Sequence, residues 1–582
     1  LEQIGVRKIR LKDIQTLREE LRYGRKKIGA YYTPEEITNY ISMNTIYPYI
    51  KDRLKDKFGS AGESLLNNLF KKDKFDKDEL GIVKHLYFEI LTKIKICDNA
   101  CGSGSFLIAA GDVLLRLYSR VLKILEDNLS KDKDVEKILE DIKKSPSRNY
   151  YIVRQIIVNN LYGVDIMKGA IEIAKLRLWL WLISQVDPKK VEGKRIETLP
   201  NLDFNLMVGN SLIGFVDIED VDMPIERYRR NKKVKWLSLK EKYYPLTEFG
   251  PKGKIDRVSW LKELISKKKI FKTLPTYEAV KLKEDITKEL EKGREFLDKK
   301  FYELINSKGI EISWEEFRKL EPFHWGFEFY EVFDLEKPKE ERGFDIIIGN
   351  PPYGNILSDL ENEIIKITYQ NKVSVSDEEG RGSKNSAGIF IERSYYLIRY
   401  KGKFGYIVPH RITRTEEFEK LRKMLISNTF VYEIVDSSRP FIDVTYEMIE
   451  LFFSKEIKEN YKIKTKSRRF SNSKFPVVIN KDIDSKDFLN FNMFVIYYDE
   501  IFEYLKDNKL FTFDLLISTQ GVPRRRDYSE NGKIYCIGAE NILRYSFRLI
   551  YKKPRKVSES FVIKRNLKNQ VESELLLTQN FS

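Results

Sequence analysis

The stretch Ile94-Lys95-Ile96-Cys97-Asp98-Asn99-Ala100-Cys101-Gly102-Ser103-Gly104-Ser105-Phe106 decides the fold. Ile94 to Ile96 predict a short strand, the Gly/Ser run a tight turn, and Ser105 to about Leu125 an apolar helix. Strand, glycine-rich turn and helix in that order open a doubly wound α/β sheet. Gly102 and Gly104 allow the backbone to approach a ligand closely, and the helix N-terminus presents free N–H groups. A dinucleotide fingerprint would have a third glycine where Leu107 stands. Taken alone, the loop reads equally as a nucleotide-type site or as a structural turn.

The rhythm continues outward from this stretch. Leu161 to Ile166 predict a second strand and Gly169 to Ile183 a helix with an almost wholly apolar surface. Phe344 to Ile348 reads as a buried strand, and Phe404 to Val408, Val431 to Val435 and Met448 to Phe453 as further strands. Upstream, Ile9 to Arg25 predict a charged helix. A second helix starts at Thr33-Pro34-Glu35-Glu36, with Thr33 as its cap, Pro34 in the first turn and acids at the positive end. Tyr49 to Thr92 predict helices joined by the charged loop Lys71 to Asp78. Between Gly214 and Phe344 lies a long, Lys/Glu-rich, mainly helical insertion, and Ser374 to Asn385 reads as a mobile loop. Near Phe511 the pattern ends. Arg524-Arg525-Arg526 and the Tyr535 to Phe547 region open what reads as a separate basic domain.

At 582 residues the chain is too long for one compact core. Lys and Arg number 105 against 88 Asp and Glu, an excess of 17 positive charges. Polyanion binding is the usual reason for such an excess, and a merely Lys-rich surface is the alternative. The three cysteines, Cys97, Cys101 and Cys536, lack the spacing of a zinc site, and a disulfide framework does not suit a chain of this size. His85, His324 and His410 are scattered, so neither a metal site nor His-based nucleophilic catalysis is expected. The most apolar stretch, Leu176 to Val186, is too short to span a bilayer and is interrupted by Arg177. The chain therefore reads as cytoplasmic, with no membrane partner. Its start at Leu1 and stop at Ser582 suit a piece of a longer polypeptide.

Two further segments carry chemistry. In Gly163-Val164-Asp165-Ile166, an acid at the carboxyl end of a strand suits a ribose diol, although Asp165 alone reads as readily as a helix cap. Asn350-Pro351-Pro352-Tyr353 ends the apolar strand. Two prolines there could be only a rigid turn. Asn350 and Pro351 also offer two acceptors, a side-chain oxygen and a carbonyl, for the hydrogens of an exocyclic amine. Those bonds would free the nitrogen lone pair to attack a methyl sulfonium, while Tyr353 stacks on the base. No group with a tuned pKa is needed.

Asn-Pro-Pro-Tyr preceded by Phe-Asp-Ile-Ile-Ile-Gly resembles the catalytic motif of amino-group DNA methyltransferases. Gly29-Ala30-Tyr31-Tyr32-Thr33-Pro34 resembles the cofactor segment that comes first in the gamma arrangement, and Asp98 to Phe106 the main cofactor loop. Val208-Gly209-Asn210-Ser211-Leu212 resembles the segment at the cofactor's adenine, with Asn210 where the family often has Asp. Phe323-His324-Trp325 through Phe333 is similar to type IIG restriction–modification enzymes. Gly402 to Pro409 resembles a later sheet strand, and Phe441 matches the aromatic that packs against the flipped base.

The resemblance, over roughly residues 25 to 455, implies a Rossmann-like α/β methyltransferase core that uses S-adenosylmethionine to methylate the N6 amine of adenine. It implies cofactor contacts from Tyr32, Thr33, Asp98, Ala100, Gly102, Gly104, Phe106, Asp165, Ile166, Asn210 and Ser211. It implies catalytic roles for Asn350, Pro351, Pro352, Tyr353 and Phe441. The expected layout is a helical spacer at 1–28, a methyltransferase domain at 29–460 with a helical insertion at 215–340, and the start of a target-recognition domain at 505–582. Double-stranded DNA is the expected partner, with an upstream nuclease domain or separate defence-system subunits as others. The tetrapeptide also occurs in RNA and protein-glutamine methyltransferases, which stay open as alternatives, as does a non-catalytic DNA-binding subunit. No endonuclease activity is expected of these residues, because a nuclease needs clustered carboxylates with a lysine on adjacent strands. The mixed acid and lysine runs, such as Lys283 to Lys292, read as solvated helix.

Overall fold

A computed structural model describes residues 33–187, 202–217, 257–273, 276–369, 385–441, 446–468, 478–491, 494 and 496, and two strands at 534–536 and 555–557. The chain divides into two units, Leu1–Tyr497 and Tyr498–Ser582. The expected spacer, Tyr32 and its upstream neighbours, residues 374–384, and nearly all of the expected recognition domain lie outside the described residues. In the second unit, Ile534–Cys536 and Arg555–Val557 pair antiparallel.

The first unit is built on one sheet. Its strands are β1 (Ile96–Asp98), β2 (Leu161–Asp165), β3 (Leu206–Val208), β4 (Phe344–Gly349), β5 (Ile398–Pro409), β6 (Phe430–Ser438), β7 (Met448–Ser454), β8 (Lys462–Ser467) and β9 (Val478–Asp484). They lie in the order β3-β2-β1-β4-β5-β7-β6-β8-β9. The five strands from β3 to β5 are parallel, and β7 runs antiparallel to both β5 and β6. Every residue of β4 is buried, as its unbroken Phe-Asp-Ile-Ile-Ile-Gly pattern requires of a central parallel strand. Strand order reverses between β1 and β4, and a crevice outside the carboxyl ends of the strands forms at such a reversal.

Helices pack onto this sheet. The first is α1 (Glu35–Asn68), which breaks at Gly59, where φ is +60°. It lies against α2 (Ser105–Leu129) and against β4 and β5. Two more, α3 (Arg148–Asn159) and α4 (Lys168–Ile183), pack on each other and along β2. The insertion adds α5 (Arg257–Thr273) and α6 (Thr276–Ser307). These bury Trp260, Leu264, Leu290 and Phe301 with Phe215, Phe317 and Phe327 in a core of their own. That core is bolted to the sheet by the segment Glu321 to Trp325. Here Asn210 N donates to Glu321 O, Phe323 N to Ile213 O, and Trp325 N to Phe215 O.

The structure differs from the sequence expectations at three places. The strand expected at Ile94 begins at Ile96, because Ile94 N still bonds Ile90 O in the preceding π-helical turn and Asn160 Nδ2 donates to Ile94 O. Thr33 does not cap α1. Pro34 holds the cap position and its carbonyl accepts from Ile37 and Thr38, while the Thr33 hydroxyl is engaged elsewhere. The sheet runs past residue 460 into β8 and β9, and the first unit ends at Tyr497. The Lys-Ile-Lys-Thr-Lys-Ser alternation of β8 masks it in a hydropathy reading. The face of α4 bearing Ile173, Leu176 and Leu180 is about half exposed although apolar.

Gly214 has φ +125°, and a Cβ there would lie 2.3 Å from Phe323 O. Replacing it with Ala should lower the urea midpoint of the full chain, at a cost of about 1–3 kcal/mol. Gly169→Ala, whose Cβ would meet nothing within 4 Å at an exposed position of α4, should not lower the midpoint and should raise it slightly.

Candidate functional site

The carboxyl ends of β1, β2, β3 and β4 carry the motif residues to one edge of the sheet. The loop after β1 turns at Gly102 (φ +52°) and Gly104 (φ +81°). At Gly104 a Cβ would press within 3.2 Å of the Ala174 Cβ, whereas at Gly102 it would meet nothing within 4 Å. The loop is pinned at several points. Cys101 N donates to Val164 O at 3.0 Å, and Gly102 N to Asp165 Oδ2 at 2.8 Å. Arg177, on α4, reaches back to Ser103 O at 2.9 Å and to the Ser103 and Ser105 hydroxyls at 3.0 Å. Phe106 is buried in the first turn of α2.

Asp165 does not cap α4, whose N-cap is Met167 without a side-chain bond. Its Oδ1 accepts from Met167 N at 2.8 Å in the turn just ahead of that helix, and its Oδ2 holds the glycine loop. Burial pushes its carboxyl up from the ordinary range, and the two backbone N–H bonds pull the other way. Ile166, the next residue, is 52% exposed at the strand end. Beyond β3, Gly209 approaches the Phe323 side chain so closely that a Cβ there would fall 2.5 Å from Phe323 Cδ2. The Asn210 side chain is engaged twice, accepting from Leu212 N and donating to Glu361 Oε1, both at 3.1 Å. Ser211 Oγ donates to Asn99 O at 2.6 Å. This bond ties the β3 end to the β1 loop.

Asp98 is buried, its Oδ1 accepting from Ala100 N at 3.1 Å. Desolvation pushes its carboxyl up to about 8, with the Asp165 charge adding to the shift and the Ala100 bond opposing it. Neighbouring Asn99 sits in a polar knot, with Nδ2 donating to Ser394 Oγ at 3.2 Å and Oδ1 accepting from the Tyr406 hydroxyl. On the other side of β1, Gly349 ends β4. A Cβ there would stand 2.8 Å from Asp98 Oδ1.

Asn350 follows. Its Nδ2 donates to Thr33 Oγ1 at 3.1 Å, and its Oδ1 is buried with no hydrogen-bond partner among the described residues. The turn through Pro351 and Pro352 is fixed from α7 (Ser386–Leu397) and its cap Asn385. Ser386 Oγ donates to Pro352 O at 2.7 Å, and Gly354 N to Asn385 Oδ1 at 3.0 Å. Tyr353 is 7% exposed and meets the Tyr446 ring edge-on, with centroids 6.0 Å apart. Together they line a cleft of about 280 Å³ with Asn385, Pro409, Arg411 and Glu417. Phe441 is buried at the far end of β6 and is not among the residues lining that cleft. Among the described residues no cluster of His, Cys, Asp and Glu is placed to hold a metal, and no helix is long and apolar enough to cross a membrane.

The structure therefore brings together Thr33, Asp98, Ala100, Gly102, Gly104, Asp165, Ser211 and Asn350 through direct bonds or loop contacts. It adds three residues that sequence reasoning passed over: Arg177, Glu361 and Tyr446. Arg177 had a signal, being a lone charge in an apolar helix. The others had none, since their partners are distant in the chain.

A sheet that is parallel from β3 to β5, continued by an antiparallel β7, with its motif loops at the carboxyl ends of β1 to β4, is the mixed α/β arrangement of a Rossmann-like methyltransferase. The family described as Eco57I restriction-modification methylase matches residues 159–441, and the DNA-methyltransferase domain of MmeI matches residues 74–221. The chain thus carries a methyltransferase domain of the Eco57I/MmeI type, homologous to the methyltransferases of type II restriction–modification enzymes. It is 31% identical over 454 residues to RM.MjaORFECS2P of Methanocaldococcus jannaschii, named as a type II restriction enzyme and methyltransferase, covering 71% of this chain and 34% of that one. It is 22% identical over 418 residues to the type II restriction enzyme and methyltransferase RM.Eco57I of Escherichia coli, covering 67% of this chain and 29% of that one. The chain spans about a third of the length of these curated relatives. The solved structure of the type IIL restriction-modification enzyme MmeI with DNA superposes with a TM-score of 0.40 at 14% identity, covering 79% of this chain and 41% of that one.

The buried Asp98 makes a pH prediction. Between 3.8 and about 8 the folded chain holds a proton that the unfolded chain releases, so this group makes the unfolding free energy fall as pH rises through that window. Asp98→Asn should flatten that part of the profile. Urea unfolding at pH 5 and pH 8 measures it, and an unchanged pH difference in the variant would mean that Asp98 is ionised in the native chain.

Proposed function

We propose that this chain transfers a methyl group from S-adenosylmethionine to the N6 amine of an adenine turned out of a DNA duplex, within a restriction–modification system. One observation carries the reading: the buried Asn350 Oδ1 has no partner among the described residues, while Nδ2 of the same amide is held by Thr33. A buried acceptor left unmade is costly. An incoming amine would satisfy it, and the Thr33 bond fixes which end of the amide meets it.

The residues present fit the cofactor. Gly102 leaves its loop open on the outer side, and exposed Ile166 and Val208 offer apolar contact at the ends of β2 and β3. Each Asp165 oxygen has accepted one N–H and keeps a further lone pair for a hydroxyl. When bound, the cofactor supplies an electrophilic methyl group on a positively charged sulfur. The chain's own part is positioning. Asn350 Oδ1 and the Pro351 carbonyl each accept one amine hydrogen, which draws the hydrogens out of the base plane and leaves the nitrogen lone pair directed at the methyl. The proton lost afterwards passes to water, since the nitrogen becomes acidic once alkylated. Tyr353 supplies a face for the base. Stacking of this kind returns about 1–3 kcal/mol per ring against a flipping cost of about a few kcal/mol. The restriction and methyltransferase names of the relatives, and the excess of 17 positive charges, support DNA as the substrate.

Asn350→Ala should abolish methyl transfer while the affinity for S-adenosylmethionine stays within about twofold, because Asn350 acts on the amine. Transfer of labelled methyl to DNA, RNA and protein in parallel tests the substrate, and mapping modified adenine in DNA of expressing cells tests the position. Label on RNA or protein alone would overturn the reading.

A further inference from the structure

We infer that Arg411 is a phosphate clamp for the target nucleotide, gripping the phosphodiester next to the base that Tyr353 receives. This inference rests on the methyl-transfer reading above. Arg411 lies in the same cleft as Tyr353 and Tyr446, on the short 3-10 turn His410–Thr413 that follows β5. Its Nε is buried with no hydrogen-bond partner among the described residues. Its Nη2 has a 3.3 Å contact with Glu417 Oε1, long for a charged pair. The guanidinium edge formed by Nε and Nη2 is therefore under-used, and that edge matches two oxygens of a phosphate.

The turn is built to hold this side chain still. His410 N donates to Glu447 O at 2.7 Å, and Arg414 N and Thr415 N both return to Arg411 O, at 3.1 and 3.0 Å. Beneath it, Arg422 is 3% exposed and donates to Ile412 O at 2.9 Å and Thr415 O at 2.8 Å. A buried arginine spent on two carbonyls of one turn fixes where Arg411 starts. The other cleft residues decide the ligand. Two tyrosine rings at 89° to each other offer a face and an edge to a base. The volume of about 280 Å³ suits one nucleotide rather than a large ligand, being at the lower limit of the roughly 300–1,000 Å³ of small-molecule pockets. A base cannot reach Asn350 without bringing its own phosphates along. Glu417 is then the internal stand-in for the phosphate: it keeps the guanidinium in the cleft before DNA arrives and yields it afterwards.

The full chain and a duplex holding its mapped methylation site provide the test. Arg411→Gln should bind S-adenosylmethionine as the wild type does, which shows that the site is folded. Its log affinity for DNA should fall less steeply with log salt, the slope shrinking by about 0.9, the value of one phosphate contact. Neutral methylphosphonates flanking the target adenosine should weaken the wild type and leave Arg411→Gln unaffected. Glu417→Gln should bind DNA more tightly. The clamp is overturned if the salt slope is unchanged, if methylphosphonates weaken both proteins equally, or if Arg411→Gln and Glu417→Gln weaken DNA binding alike, as a purely structural ion pair would. Failure of the methyl-transfer reading is separate, because then the wild type would methylate no DNA at all.

Discussion

The parallel pairing of β1 with β4 is the constraint on which the site depends. It sets Ile96 beside Ile346 and Cys97 beside Ile347, so the two strands end side by side. Their terminal residues then compete for the same space. Asp98 keeps its buried carboxyl only because Gly349 has no side chain, a Cβ there falling within 2.8 Å of Asp98 Oδ1. From this shared edge the glycine loop leaves in one direction and Asn350 in the other. A shift of one residue in the pairing would exchange which side chains face the helices on each side and separate the two motifs.

Around that edge, side-chain bonds join the loops to one another and to the strand ends. Asp165 ties β2 to the glycine loop, Ser211 ties β3 to Asn99, and Thr33 ties the start of α1 to Asn350. The helical insertion belongs to the same arrangement, since Phe323 fills the space that Gly209 and Gly214 vacate and Trp325 Nε1 donates to Ser211 O at 3.1 Å. A long excursion of the chain thus ends as a wall behind the β3 loop.

Much of the central sheet was legible because its strands are short apolar runs bounded by turn residues, and because a glycine-rich turn and Asn-Pro-Pro-Tyr mark strand ends. Phe344 to Gly349 is the clearest case. Features that depend on partners far away in the chain were not legible. A hydroxyl ahead of Pro-Glu-Glu reads as a cap, and only the fold reveals that Thr33 has a better partner. The alternation in β8 carries lysine on one face, which suits a strand near a sheet edge but reads as solvated chain. Tyr446 lacks any local pattern and meets Tyr353 only through the connection between β6 and β7.

The hydrogen bond between Asn350 and Thr33 joins residues 317 positions apart. On a ribosome adding roughly 5–20 residues per second, Thr33 emerges about 15–60 s before its partner exists. The same delay falls on α1, whose Tyr49 hydroxyl donates to Asp345 Oδ1 at 2.5 Å and whose inner face is covered by β4 and β5. During synthesis that helix has only α2 and its immediate neighbours to shelter it. Asn350 therefore takes its place long after Thr33, and a nascent chain interrupted before residue 350 would have the glycine loop without the Asn-Pro-Pro-Tyr turn.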